Sequence, residues 1–109
     1  MSKISGQIAF PAHADFVGAT AYIKLEDVSM PGGLADVVAS QAIKNVSSDD
    51  ALTFELESTL DPRNRYNVRV HISLSGNEHY QPGDWLSKQS YPIAEGNLLS
   101  KLLINVEKI

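Results

Sequence analysis

Polar and apolar residues alternate along most of this chain, and the alternation has the two-residue period of a β-strand. The clearest run spans residues 66–74. Tyr66, Val68, Val70, Ile72 and Leu74 fall on one side, and Arg65, Asn67, Arg69, His71 and Ser73 on the other. This predicts a central strand with one buried face and one wet face. Residues 4–10 place Ile4, Ile8 and Phe10 together, with Gly6 between them as a bulge or a point of close approach. Residues 11–17 have no periodicity and read as a connection. Residues 20–28 alternate Ala21, Ile23 and Leu25 against Tyr22, Lys24 and Glu26, and Val28 breaks the parity, so a bulge is expected near Asp27. Ser29-Met-Pro-Gly-Gly33 is a turn signal. Residues 36–46 fit a helical stripe about as well as a strand, and the β-rich surroundings favour the strand. Leu52, Phe54 and Leu56 alternate with Thr53, Glu55 and Glu57 as another half-buried strand. Residues 84–93 read as a strand closed by Pro92, and residues 101–109 as the last strand.

These elements predict an all-β domain over residues 1–109, a single immunoglobulin-like or transthyretin-like β-sandwich of about seven strands. An open barrel of the same strands is the alternative. Just before the central strand, Leu60, Pro62 and Tyr66 have the spacing Leu-x-Pro-x-x-x-Tyr. It looks like the tyrosine corner of such sandwiches, in which a phenol hydroxyl bonds back to upstream backbone. Tyr66 is therefore a predicted core residue. Lys24, Lys44 and Lys88 lie in predicted strands and are expected to blunt sheet edges against pairing.

Composition narrows the function. Nine basic and thirteen acidic residues give a net charge of −4. With no basic stripe, nucleic acid is not an expected partner. The absence of cysteine excludes a disulfide, a thiolate metal site and a thiol nucleophile. No run of apolar residues is long enough to predict a transmembrane segment. No export signal and no lipid-accepting cysteine are read, so the chain as given predicts a cytoplasmic protein.

Candidate chemistry is sparse. His13 with Asp15, and His79 with Glu78 and Asp84, lie in two predicted loops whose meeting would make a His/carboxylate metal site. Their spacing matches no ligand signature, and solvated loop residues are the simpler reading. His71 falls on the polar side of its strand and reads as a surface residue. No serine sits in a nucleophile elbow, and Pro31-Gly32-Gly33 lacks the spacing of a phosphate loop. No catalytic residue, metal or cofactor is expected. Tyr80, Trp85 and Tyr91 are the candidate binding residues, because exposed aromatic rings stack on sugars or anchor peptides. Against this, Trp85 also fits a core position. Arg69 is expected to pair across strands with Glu55 or Glu57.

Taken in order, several segments resemble the YbaY/YscW family of bacterial envelope proteins, which includes type III secretion pilotins. They are Ser5-Gly-Gln-Ile8, Ala21-Tyr-Ile-Lys-Leu-Glu-Asp-Val-Ser29, Val37-Val-Ala-Ser-Gln-Ala-Ile43, Phe54-Glu-Leu56, residues 60–72 and Tyr91-Pro-Ile93. The resemblance covers residues 4–94 and implies a β-sandwich without catalysis. Pilotins are lipoprotein chaperones that help an outer-membrane secretin to localise and assemble by binding its C-terminal region. A protein partner, an envelope or secretion component, is implied in the same way, as is a periplasmic or envelope location. The expected function is a binding or chaperone-like module that captures a partner segment at a sheet edge or a groove between sheets. A carbohydrate-binding envelope domain is the alternative. The sequence leaves the oligomeric state open.

Overall fold

The computed structural model describes residues 2–29, 36–87, 91–93 and 102–109, and all regular structure among them is β. Five longer strands come first: β1 (Ser2–Ala9), β2 (Ala19–Asp27), β3 (Asp36–Val46), β4 (Leu52–Ser58) and β5 (Tyr66–Ser73). Four short ones follow: β6 (Trp85–Leu86), β7 (Pro92–Ile93), β8 (Leu102–Asn105) and β9 (Glu107–Lys108). They form two sheets. The smaller has the order β4-β1-β8, and the larger β3-β2-β5-β6-β9 with β7 also on β5.

The alternation in sequence explains the core between them. Ile4, Ile8, Leu52, Phe54, Leu56 and Ile104 face inward from the smaller sheet, and Ala21, Ile23, Leu25, Val68, Val70 and Ile72 from the larger. Each fully buried Val, Leu or Ile contributes about 1.5–3 kcal/mol of transfer free energy. Gly6 completes the smaller sheet. A Cβ there would stand 2.8 Å from the Phe54 ring and 2.8 Å from the Leu102 carbonyl oxygen. The register of β1 against β4 runs unbroken past it, from Ser2↔Ser58 to Ile8↔Leu52. Gly6 is thus a close-approach glycine and makes no bulge.

The corner forms around Tyr66. Its hydroxyl accepts a hydrogen bond from the Asp61 N–H at 2.9 Å. The Asp61 carboxylate in turn accepts from the Arg63 backbone N–H and guanidinium at 2.9–3.1 Å. These bonds hold the Asp61 carboxyl well below the usual carboxylate range, at about 2. Leu60 packs half-buried against the core. On the other flank, Asn64 donates to Asp27 and the Arg65 N–H to the Ser29 hydroxyl, which fastens the corner to the end of β2.

Four expectations are corrected. First, the outer face of β5 is not wet: Asn67, His71 and Ser73 are buried and only Arg69 is half-exposed, because residues 74–84 fold back over His71 and the Tyr91 N–H bonds Asn67. Leu74, expected inside, is exposed. Second, Arg69 pairs with Glu26 at 2.9 Å, whereas Glu55 and Glu57 pair with Lys3. The reason is topological, since β4 and β5 lie in different sheets. Third, the two final predicted strands are interrupted. Trp85–Leu86 and Pro92–Ile93 pair with β5 as β6 and β7, and just after β6 the Ser87 hydroxyl accepts the Val70 N–H in place of a ladder bond. The last segment runs parallel to β1 as β8, crosses at the buried Val106, and joins the other sheet as β9. Fourth, Lys24 lies on β2, inside the larger sheet, and blunts no edge. Lys44 does lie on the edge strand β3, and Lys88 falls outside the described residues, as do residues 30–33 of the predicted turn. The irregularity expected near Asp27 exists as a register shift against β3 at Leu25/Glu26.

Two tests follow from the corner. Tyr66→Phe leaves the Asp61 N–H without its acceptor, and urea denaturation followed by circular dichroism should show a loss of about 1–3 kcal/mol with an unchanged slope. Asp61 has a folded pKa below its unfolded value, so its contribution is complete above pH about 4 and disappears as pH falls toward 2. An acid titration of Asp61→Asn should lack that portion of the acid-induced loss of stability seen in the parent protein.

Candidate partner-binding groove

The sheets differ in width, and their mismatch opens a groove. On one side of the sandwich the smaller sheet ends at β4 and the larger at β3. These edges run past each other without strand pairing. One contact between them is a side-chain substitute: the Glu55 N–H donates to the Gln41 Oε1 at 3.4 Å. In an antiparallel ladder, alternate residues direct their backbone groups to the outer edge. Glu55 does so here, and Thr53 and Glu57 share its parity.

The groove has a volume of about 450 Å³ and is lined by Ser5, Gly6, Gln41, Thr53, Phe54 and Glu55. Gly6 and Phe54 lie at its base, where Gly6 presents only backbone and the Phe54 ring is turned into the core. Ser5, Gln41 and Thr53 form polar walls. Lys3 lies 3.5 Å from Glu55 and offsets its charge. Hydrogen-bonding walls and a strand edge with outward backbone groups are features that suit an extended polypeptide segment.

A second polar cluster lies on the outer face of the larger sheet. His71 Nε2 and Asp84 Oδ2 are 2.8 Å apart, with both side chains buried. Asp84 also accepts from the Leu74 and Gln81 N–H groups. Tyr22 stacks on the His71 ring, and Tyr80 meets it edge-on with centroids 4.7 Å apart. The Tyr22 hydroxyl donates to the Gly76 carbonyl. The His71–Asp84 bond ties residues 74–84 to β5, the Tyr22–Gly76 bond ties them to β2, and the two backbone bonds to Asp84 close the segment on itself, so the cluster is a brace. Nearby, Arg69 is held charged by the Glu26 carboxylate bonded to it.

The aromatic candidates do not share a surface. Trp85 is buried beside Phe16, with its ring 5.7 Å from that of His13. It pairs with the inward residue Ile72. Tyr91 is also buried, and its hydroxyl accepts the Asn105 N–H at 2.8 Å. Tyr80 is 52% exposed but lies over His71 on the opposite face of the sheet. The proposed metal set does not gather either. Asp84 is committed to His71 and two backbone donors, and among the described residues no three His, Cys, Asp or Glu side chains cluster to hold an ion. His71 is a buried residue rather than the expected surface one, covered by Tyr22, Tyr80 and the 74–84 segment. The groove itself was missed from sequence. Gly6 and Phe54 carried its only signal, as a close-approach glycine and an inward aromatic.

No family model matches the chain, and no curated protein matches it. Among solved structures, that of an alternative pilotin from the type II secretion system of Vibrio cholerae superposes with a TM-score of 0.79. The match covers 99% of this chain and 96% of that one at 19% sequence identity. At this identity the likeness establishes the fold, and the chain adopts a pilotin-like β-sandwich.

Proposed function

We propose that this protein is a non-catalytic, chaperone-like binding module of a bacterial secretion system, resembling the pilotins. The observation that carries the reading is the end-to-end match to a pilotin fold. Fold alone does not confer function, and the groove supplies the site. It captures a segment of a partner protein against Phe54 and Gly6, with Gln41, Thr53 and the outer edge of β4 bonding the segment's backbone. The sequence resemblance to the YbaY/YscW family supports the same assignment and a place in the cell envelope. The partner is then an envelope or secretion component.

Affinity capture from the native organism, with soluble and envelope pools kept apart, tests the proposal. The expected result is recovery of an outer-membrane secretion component from the envelope pool. Thr53 is exposed on the groove wall, so Thr53→Arg should fill the groove without unfolding the protein and should abolish that recovery. Recovery of the bait alone from the soluble pool would sink the secretion role. Capture unaffected by Thr53→Arg would move the binding site elsewhere.

A further inference from the structure

The outer edge of β3 is the longest backbone edge left free among the described residues. The strand runs eleven residues, contains neither proline nor glycine, and pairs with β2 on one side only. Free edges are templates for strand pairing, and proteins blunt them with prolines, charges or bulges. In β3 the irregularities are confined to its two ends. One lies at Val37 and Val38, where the register against β2 shifts, and the other at Asn45, which has a φ of 61°. Between them, residues 39–43 stay in unbroken register with β2. Val37 is 51% exposed, Val38 40%, and Ala42 is exposed. An apolar edge of this kind is most stable with a neighbour.

The chemistry along the edge is nearly symmetric about Ser40. An acid, Asp36, stands at one end and a base, Lys44, at the other. Val37 and Val38 lie inside the first, and Ala42 and Ile43 inside the second. Turned about Ser40, an antiparallel copy lays Val38 beside Ala42 and Ala39 beside Gln41. Each Asp36 end then meets a Lys44 end. A different partner would need this complementary pattern built for the purpose; a second copy supplies it by symmetry.

We propose that the protein self-associates through β3. Two copies pair antiparallel about a two-fold axis at Ser40 and join their larger sheets into one continuous sheet. The Lys44 stem lies over the partner's Val37, with its ammonium near the partner's Asp36. The proposal does not rest on the secretion role, because the residue pattern of the β3 edge carries it without reference to any other partner.

Sedimentation of the full chain over a concentration series tests it, and the expected result is a doubling of mass. Lys44→Glu brings like charges together twice, once at each end, and should weaken the dimer about tenfold or more. Adding Asp36→Lys should restore it. A mass that stays at one chain throughout overturns the proposal, as does a dimer indifferent to Lys44→Glu. Because the chain has no cysteine, Ser40→Cys reports the register directly. On oxidation it should crosslink to itself, while Thr53→Cys on the other sheet should not. Equal crosslinking at both positions would rule out β3 as the interface.

Discussion

A three-stranded sheet cannot cover a six-stranded one, and the rest of the structure follows from that mismatch. Directly beneath the smaller sheet, the inward residues Ala21, Ile23 and Leu25 of β2 are fully buried. One strand further out, Ala39, Gln41 and Ile43 of β3 are only half-buried. β3 therefore overhangs. Its overhang leaves both a groove against β4 and a long strand edge. The close approach at Gly6 sets how near the smaller sheet's strands can lie, because any side chain there would meet Phe54 and the backbone of β8.

The larger sheet has a second exposed side, and it is covered by a different means. No further layer of strands packs on the outer face of β5 among the described residues. Instead the 74–84 segment lies over it, and its hold is polar. A buried carboxylate with a single partner would be costly, and Asp84 meets that cost with three donors. Tyr22 of β2 and Tyr80 of the segment supply apolar cover on either side of His71. His71 and Asp84 together make the arrangement of a base and its orienter, yet the bonds around them all hold a loop in place.

Period-two alternation made the strands legible, and it was most reliable where one face meets the core, as in Leu52, Phe54 and Leu56. The corner was legible because Leu60, Pro62 and Tyr66 are a local pattern whose central bond, from the Asp61 N–H to the Tyr66 hydroxyl, spans five residues. Three features were not legible, and each depends on contacts distant in sequence. His71 looked like a surface residue because nothing in its own strand reveals that residues 74–84 fold back. Trp85 and Tyr91 are near neighbours of Tyr80 in sequence, but strand β6 carries Trp85 to the inner face while the loop leaves Tyr80 on the outer. The groove arises where β3 and β4 pass each other, and no property of either strand alone predicts the gap between them.

The crossing at Val106 has a consequence for how the chain acquires this structure. It links the sheets through β8 and β9, so the smaller sheet pairs residue 6 with residue 102 and the larger pairs residue 85 with residue 108. Contacts that span nearly the whole chain form slowly, since the intervening loop must first be ordered. Until residues 102–108 have emerged from a ribosome, β1 has only β4 beside it and Ile8 lacks the neighbour that Ile104 provides. A growing chain thus passes through a state with one sheet incomplete and its apolar face uncovered. Such a state is vulnerable to aggregation and to proteolysis, and the hazard ends when a short stretch following the 94–101 segment takes its place in both sheets.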